Sequence, residues 1–309
     1  MITVLKAAVQ TTVQDLGRHG LRHLGVGAAG AMDRLALTIG NYLVGNTEDA
    51  AGLELCMPPA RIRLDADCAI ALTGADCSAR LDSAPVIIGR CVVARAGQIL
   101  HLSTARSGFR AYLCLAGGID VPRVLGSRST DLATGIGGLD GRLLRDRDVL
   151  NISRSTRPYR ASAGVLLPQM SSVIRILAGP DCDDFAPGWR DALLQASWKL
   201  SNQSNRMGYR LDGPALIRRA TEELRSHAVF PGVIQVPAGG APIVLMADAP
   251  ATGGYPRIAS VIAADQWRLA QVAPGSSIRF ELCTRAEALL ALRKQQDYLQ
   301  QIQRSLRAH

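Results

Sequence analysis

Between Leu53 and Ala116 the chain runs through a succession of short apolar segments: LELCM, ARIRL, CAIAL, SARL, PVII, CVVA, QILHL and RAYLCLA. None is long enough to stand as a helix, and turn signals such as TGAD, RAGQ and ARSG interrupt them every eight to twelve residues. That spacing does not suit βαβ units and is the spacing of an antiparallel barrel or sandwich. The first half of the chain is therefore predicted to be mostly β.

The flanks of this block are different. Ile2 to Gln10 has the pattern of an opening strand. Residues 14 to 33, QDLGRHGLRHLGVGAAGAMD, are glycine-rich without a helical period and read as a long irregular loop, of the sort that is usually functional inside a compact domain. His19 and His23 have the spacing of metal ligands on a helix, but Gly20 disfavours a helix here and no HExxH pattern surrounds them, so no metal is predicted. Asp33 reads as an N-cap for RLALTIGNYLV, whose apolar positions Leu35, Ile39, Tyr42 and Leu43 share one face, with Gly45 placed to end the helix. A catalytic Asp33 is the alternative. From Ala116 to Ile152 the chain is again Gly-rich and carries a polar cluster, Ser127 to Asp131, that reads either as part of a site or as surface loop.

Residues 153 to 170, SRSTRPYRASAGVLLPQM, shift in composition and read as a linker. This divides the chain into domains at 1–155 and 171–309. The second opens on the strand VIRILAGPD, continues into a helix near Trp189 to Trp198, and ends in a long helix from Arg285 to Leu306, which has strong helix formers and no breakers. Both halves thus begin strand, polar loop, helix, which hints at a duplicated architecture.

Two segments of the second half concentrate polar groups. In SNQSNRMGYRLDGP, residues 201 to 214, Asn202, Asn205, Arg206 and Tyr209 lie close together, and the Arg206 fork suits a carboxylate or phosphate; a polar hairpin is the alternative. In Gln235 to Ile262 two apolar runs, Pro242 to Met246 and Ile258 to Ile262, read as strands joined by ADAPATGGYP. That connection holds Asp248, Thr252, Gly253, Gly254 and Tyr255, polar groups on a loop whose glycines admit a ligand to the backbone. An ordinary hairpin loop is the alternative here too.

Composition narrows the function. Seven cysteines, an odd number without a CxxC pair, argue against a zinc site and a disulfide framework, and read as buried thiols. The net charge of +9 comes almost wholly from arginine; genome base composition explains that bias, though the excess still favours anionic ligands or an acidic partner. Nucleic acid is disfavoured by dispersed arginines and only 4% aromatics. No apolar run nears the roughly 20 residues that span a bilayer, and MITVLKAAVQ reads as a strand and not an export signal, so a cytoplasmic protein is expected. No GxxxxGK[ST], no GxGxxG set between a strand and a helix, and no GxSxG is present. No lysine sits in a Met-Lys-Met turn, so no biotinyl-lysine is expected on this chain, and another polypeptide must supply much of any ATP or biotin site.

Taken together, QDLGRHG followed by GAMD, then LGSRSTD, SNRMGYRL, IQVP and PIVLMAD with TGGYPRIA, in this order and across nearly the full length, resemble the biotin-dependent carboxyltransferase family that includes allophanate hydrolase subunit 2 and the KipA proteins. The resemblance implies a mainly β fold of tandem cyclophilin-like β-barrel domains with a few short helices and a long C-terminal helix. It points most closely to the branch serving ATP-dependent 5-oxoprolinases, which open 5-oxo-L-proline to L-glutamate with ATP as co-substrate of the complex. The partners implied are the KipI-like protein PxpB and the lactam-utilisation-like protein PxpA.

On that basis Asp248, Tyr255 and Arg206 are the expected catalytic residues. Asp248 would accept the ring N–H or act as general base, Tyr255 would donate to the carbonyl oxygen, and Arg206 would hold the substrate carboxylate. The expected substrate-binding set is Asn205, Met207, Tyr209, Gln235, Thr252, Gly253, Gly254, Arg18, Met32, Ser129 and Thr130. The family also admits a carboxyltransferase component acting with carboxybiotin on urea or another small amide, and a KipA-type regulatory binder of a KipI-like kinase inhibitor.

Overall fold

The computed structural model describes residues 1–155, 159–161, 163–219 and 224–307. Part of the expected linker, residues 156–158 and 162, lies outside the described residues. Two compact units are formed, the first from Met1–Arg18, Ala29–Gln169 and Asp297–His309, the second from His19–Ala28 and Met170–Gln296.

The first unit holds β1 (Ile2–Lys6), β2 (Gln10–Gln14), α1 (Arg34–Leu43), β3 (Gly52–Cys56), β4 (Ala60–Leu64), β5 (Cys68–Asp76) and β6 (Arg80–Leu81). It continues with β7 (Ala84–Pro85), β8 (Cys91–Ala94), β9 (Ile99–Leu102), β10 (Ser107–Leu115), β11 (Ile119–Asp120) and β12 (Val149–Ile152). The apolar segments read from the sequence between Leu53 and Ala116 fall on strands, except that SARL contributes only Arg80 and Leu81 and PVII only Pro85. The strands form a seven-stranded sheet, β11-β12-β1-β4-β9-β6-β7, and a five-stranded sheet, β2-β3-β10-β5-β8.

Residues of both sheets build one core, among them Ile2, Ile62, Leu64 and Leu100 from the first and Leu53, Leu55, Leu72 and Leu113 from the second. Each fully buried leucine or isoleucine contributes about 1.5–3 kcal/mol. In β4 burial alternates, with Arg61 and Arg63 outside and Ile62 inside, as one buried face requires. In β3 every residue is buried, and α1 packs on the same sheet. Thr73 Oγ1 donates to the Ala36 carbonyl at 2.7 Å, and a Cβ placed on Gly40 would meet Cys114 Sγ at 2.7 Å, so only glycine lets the helix approach this closely. Asp33 caps the helix as read, its Oδ1 accepting from Ala36 N at 2.8 Å.

The second unit holds β13 (Val173–Ala178), α2 (Trp189–Gln195), β14 (Trp198–Leu200), β15 (Gly208–Asp212), β16 (His227–Ala228), β17 (Val233–Gln235) and β18 (Ile243–Leu245). Then come β19 (Thr252–Gly253), β20 (Arg257–Val261), α3 (Gln266–Ala270), β21 (Ser277–Leu282) and the first part of α4 (Arg285–Arg307), a helix whose residues up to Gln296 belong to the second unit and whose residues from Asp297 on belong to the first. Seven of these strands close a barrel in the order β13-β20-β17-β18-β15-β14-β21. The expected helix near Trp189–Trp198 stops at Gln195, because Trp198 enters the barrel core with its indole N–H donating to the Leu193 carbonyl at 2.8 Å.

The barrel order also corrects the hairpin reading of ADAPATGGYP. β18 and β20 are not neighbours; each pairs with β17, which lies between them. The segment from Met246 to Pro256 therefore crosses over one barrel strand. α4 begins at a capping box in which Thr284 Oγ1 accepts from Glu287 N at 3.2 Å while Glu287 Oε2 accepts from Thr284 N at 2.7 Å. Among the described residues no helix is long and apolar enough to cross a membrane.

Candidate functional site

In the second unit, the polar residues of the loop before β15 and of the crossover after β18 meet. Arg206 Nε donates to Asp248 Oδ2 and its Nη2 to Asp248 Oδ1, each at 2.9 Å, with the two side chains 6% and 4% exposed. Two backbone bonds reinforce the pair, Met246 N to the Met207 carbonyl at 3.0 Å and Asp248 N to the Arg206 carbonyl at 2.9 Å. The fork expected to face a substrate carboxylate is thus turned onto Asp248. The carboxylate expected to accept the ring N–H or act as general base is held through both oxygens.

The neighbouring predicted residues divide between support and exposure. Asn205 Oδ1 accepts from Met207 N at 2.8 Å and Gly208 N at 3.3 Å, a local turn that sets the approach of Arg206. Tyr209 is buried in the barrel wall and Met207 is exposed. Gln235 is buried, and its Nε2 donates to the Tyr255 carbonyl at 3.0 Å, tying β17 to the crossover above it. A Cβ on Gly253 would stand 3.0 Å from that same Nε2. Thr252 and Gly253 pair with Ala228 and His227 in a two-stranded ribbon, and Gly254 is half-buried. The Tyr255 side chain is 51% exposed. Arg257, just past it, is fixed to Asp181 by Nε at 2.8 Å and by its backbone N–H at 2.9 Å.

Arg22, which the sequence reading passed over, belongs to the same unit. Its Nη2 donates to the carbonyls of Val229 and Pro250, each at 2.7 Å, and its Nη1 lies 3.5 Å from the Ala249 carbonyl. Desolvation by these loops lowers its pKa from the ordinary arginine value. His19 and His23, on either side, are exposed.

The remaining predicted residues lie in the first unit, in two buried networks. In one, Asp15 Oδ1 accepts from Ser127 Oγ at 2.6 Å, Ser129 Oγ at 2.5 Å and Gly17 N at 2.8 Å, and Oδ2 accepts from Arg128 N at 2.6 Å. Arg18, 1% exposed, donates from Nη2 to the Ser129 carbonyl at 2.6 Å. Thr130 donates from N and Oγ1 to the Val13 carbonyl at 2.9 and 3.0 Å, and Gln14 Nε2 donates to the Thr130 carbonyl at 3.1 Å. Arg18, Ser129 and Thr130 are thus brought together around a carboxylate that sequence reading quoted in QDLGRHG without assigning it a role.

Met32 belongs to the other network. Its backbone N–H donates to Glu54 Oε2 at 2.8 Å, and the same oxygen accepts from the Tyr112 hydroxyl at 2.7 Å. Arg110 Nε stands 3.7 Å from Glu54 Oε1. The Tyr112 hydroxyl accepts from Asp33 N at 2.7 Å, and burial pushes its pKa well above the usual phenol value. Glu54 and Tyr112 lie inside strand-like runs, where the apolar period gave no signal for them.

Comparison with known proteins bears on what these networks serve. The family model described as carboxyltransferase domain, subdomain A and B, matches residues 24–282. Over 302 residues the chain is 49% identical to the C-type subunit of 5-oxoprolinase from Escherichia coli K12, covering 98% of this chain and 97% of that one. It is 41% identical over 304 residues to the C-type subunit of 5-oxoprolinase from Haemophilus influenzae, covering 98% of each. Among solved structures, the urea amidolyase of K. lactis superposes with a TM-score of 0.91 at 29% identity over 97% of this chain, which spans only 20% of that much longer one.

Proposed function

The chain belongs to the carboxyltransferase-domain family, subdomains A and B, and on that premise we propose that it is the C-type subunit of an ATP-dependent 5-oxoprolinase, the part of a hydrolase complex that opens 5-oxo-L-proline to L-glutamate. The observation that carries this reading is the end-to-end similarity, at close to half identity, to the Escherichia coli subunit of that type. Its companions would be a KipI-like protein (PxpB) and a lactam-utilisation-like protein (PxpA), with ATP bound by the complex.

The chemistry fits the family. A carboxyltransferase site grips the ureido ring of biotin, a five-membered ring with N–H beside C=O, and 5-oxoproline is a five-membered lactam with the same pair of groups. An amide resists opening because of resonance. Transfer of the γ-phosphoryl group to the lactam oxygen, with ADP leaving, makes that oxygen a leaving group. One water then breaks the ring C–N bond to give γ-glutamyl phosphate, and a second releases phosphate and L-glutamate.

The geometry of the second unit supports specific roles. A carboxylate offers roughly four lone-pair sites. Asp248 gives two of them to Arg206 and keeps capacity for a ring N–H. Arg206 then acts by orienting Asp248. The exposed phenol of Tyr255 suits a donor to the lactam oxygen as negative charge builds there. Asn205, Thr252 and the loop N–H groups of Gly253 and Gly254 supply further polar contacts.

A second reading, carboxyl transfer from carboxybiotin to urea or another small amide, is favoured by the structural likeness to urea amidolyase. Both are tested by supply. The three-subunit complex is given 5-oxoproline and ATP with and without biotin carboxylase. Glutamate formation without the carboxylase, lost when this chain is left out, is the expected result. Full turnover by the other two subunits alone removes this chain from the reaction.

A further inference from the structure

Arg22 does not fit a purely surface role. It is a cation that reaches from the segment His19–Ala28 to carbonyls of two loops more than two hundred residues further along the chain. One of those loops carries Asp248 at one end and Tyr255 at the other. Its three acceptors are the carbonyls of Val229, Ala249 and Pro250. A guanidinium supplies donors in a rigid plane, so holding Val229 and Pro250 from one nitrogen and meeting Ala249 from another fixes the orientation of successive peptide groups.

The orientation of one peptide matters most. No peptide bond in the described chain is cis. In a trans peptide the N–H points opposite to the C=O. With the Pro250 carbonyl turned onto Arg22, the Ala251 N–H is turned away from it. That N–H has no acceptor among the described residues, although the Ala251 carbonyl is used, accepting from Val229 N at 3.1 Å. A regular ladder would have returned the second bond from Ala251 N to the Val229 carbonyl. The Val229 carbonyl accepts from Arg22.

We propose that Arg22 is a positioning residue that holds the Pro250–Ala251 peptide so that the Ala251 N–H is presented as a backbone donor to the carbonyl oxygen of the cyclic amide. This rests on the functional reading above and deepens it by naming a donor and the residue that aims it. Pro250 suits the arrangement, because its ring restricts the backbone next to the aimed peptide and it has no N–H to compete. Desolvated cations held only by carbonyls are replaceable by lysine in charge but not in geometry.

The test uses the assembled three-subunit complex and three variants, with hydrogen exchange of residues 249–255 measured on the same samples. Ala251→Pro deletes the N–H and is expected to lower kcat about a hundredfold, the loss seen when one oxyanion donor is removed. Arg22→Ala is expected to lower kcat about tenfold or more with KM within twofold, and to speed exchange in 249–255, while Arg22→Lys falls between it and wild type. Co-purification of the companions and unchanged melting of Arg22→Lys separate positioning from misfolding. Wild-type kcat in Ala251→Pro, or unchanged exchange in Arg22→Ala, overturns the proposal. A wild-type complex that leaves 5-oxoproline intact overturns the functional reading instead, and the exchange data then still decide whether Arg22 holds the loop.

Discussion

Asp15 and Ser129 are joined twice: the Ser129 hydroxyl donates to Asp15 Oδ1 at 2.5 Å while the Asp15 backbone N–H donates to Ser129 Oγ at 2.9 Å. The serine oxygen is thus both donor and acceptor toward one residue, which fixes its hydroxyl proton. Through Ser129 the arrangement reaches Arg18, whose Nη2 takes the Ser129 carbonyl. A segment that reads in the sequence either as part of a site or as surface loop forms a buried network.

Asp15→Asn tests how closed it is. Oδ1 receives Gly17 N and Oδ2 receives Arg128 N, so whichever way an asparagine turns, its NH2 meets an N–H donor. Loss of a buried acceptor leaves a donor unsatisfied at about 1–3 kcal/mol. Urea unfolding of the variant is expected to show a loss in that range. A change below about 0.5 kcal/mol would mean that the network relaxes around a neutral side chain.

The Arg206–Asp248 pair makes a second, separable prediction. Breaking a buried ion pair from one side strands a charge, at about 3–5 kcal/mol. Asp248→Asn is expected to fall near the lower end, because the amide keeps one acceptor for the guanidinium. A double-mutant cycle with Arg206→Met should return a coupling of about 1–3 kcal/mol. Turnover of the assembled complex by Asp248→Asn is expected to drop about a hundredfold. Activity within threefold of wild type, in a variant shown to fold, removes Asp248 from the chemistry and leaves it a brace.

Acid should loosen the far end of the same crossover. Burial pushes the Asp181 carboxyl upward, but hydrogen bonds from the Arg257 side chain and backbone outweigh it and hold the group below the usual carboxylate value. Hydrogen bonds from Arg142 lower Asp148 in the first unit likewise. A carboxyl whose pKa is depressed by folding contributes stability that is full above its unfolded value of about 3.9 and is lost as pH falls through the folded value. Unfolding free energy measured from pH 7 to pH 2 for wild type and Asp181→Asn should therefore differ by a constant above about pH 4 and converge below it. Parallel curves to pH 2 would deny Asp181 any linked role.

Much of this was legible beforehand, and what was not has a common cause. The strands of the first unit follow from local alternation and turn residues, and the Asp33 cap and the last helix from residues a few positions apart. The crossover over β17 was not legible, because strand order in a barrel is set by pairing between segments far apart in sequence, while a Gly-Gly loop between apolar runs reads the same in a hairpin. Arg206 and Asp248 were each singled out, but their separation by 42 positions hid that they satisfy each other. Arg22 left no trace at all: its partners are backbone carbonyls, which every residue possesses.

Gly137 provides the sharpest check on the buried network of the first unit. It sits at φ +71°, and a Cβ there would overlap the Ser129 carbonyl and Arg18 Nη2, the two groups whose hydrogen bond ties Arg18 into place. Gly97, at φ +89°, has nothing within 4 Å of its notional Cβ. Both positions charge alanine the backbone cost of the left-handed region, about 1–2 kcal/mol. Only Gly137→Ala adds overpacking, worth roughly another 1–3 kcal/mol. Gly137→Ala is thus expected to destabilise the protein by about 2 kcal/mol more than Gly97→Ala in paired urea titrations. Because the clash falls on the Ser129–Arg18 bond, Gly137→Ala should also speed hydrogen exchange at residues 15–18 and 127–131, where Gly97→Ala leaves it unchanged. Equal stability losses would mean that the loop carrying Gly137 yields freely, and that Arg18 is held by something other than its bond to Ser129.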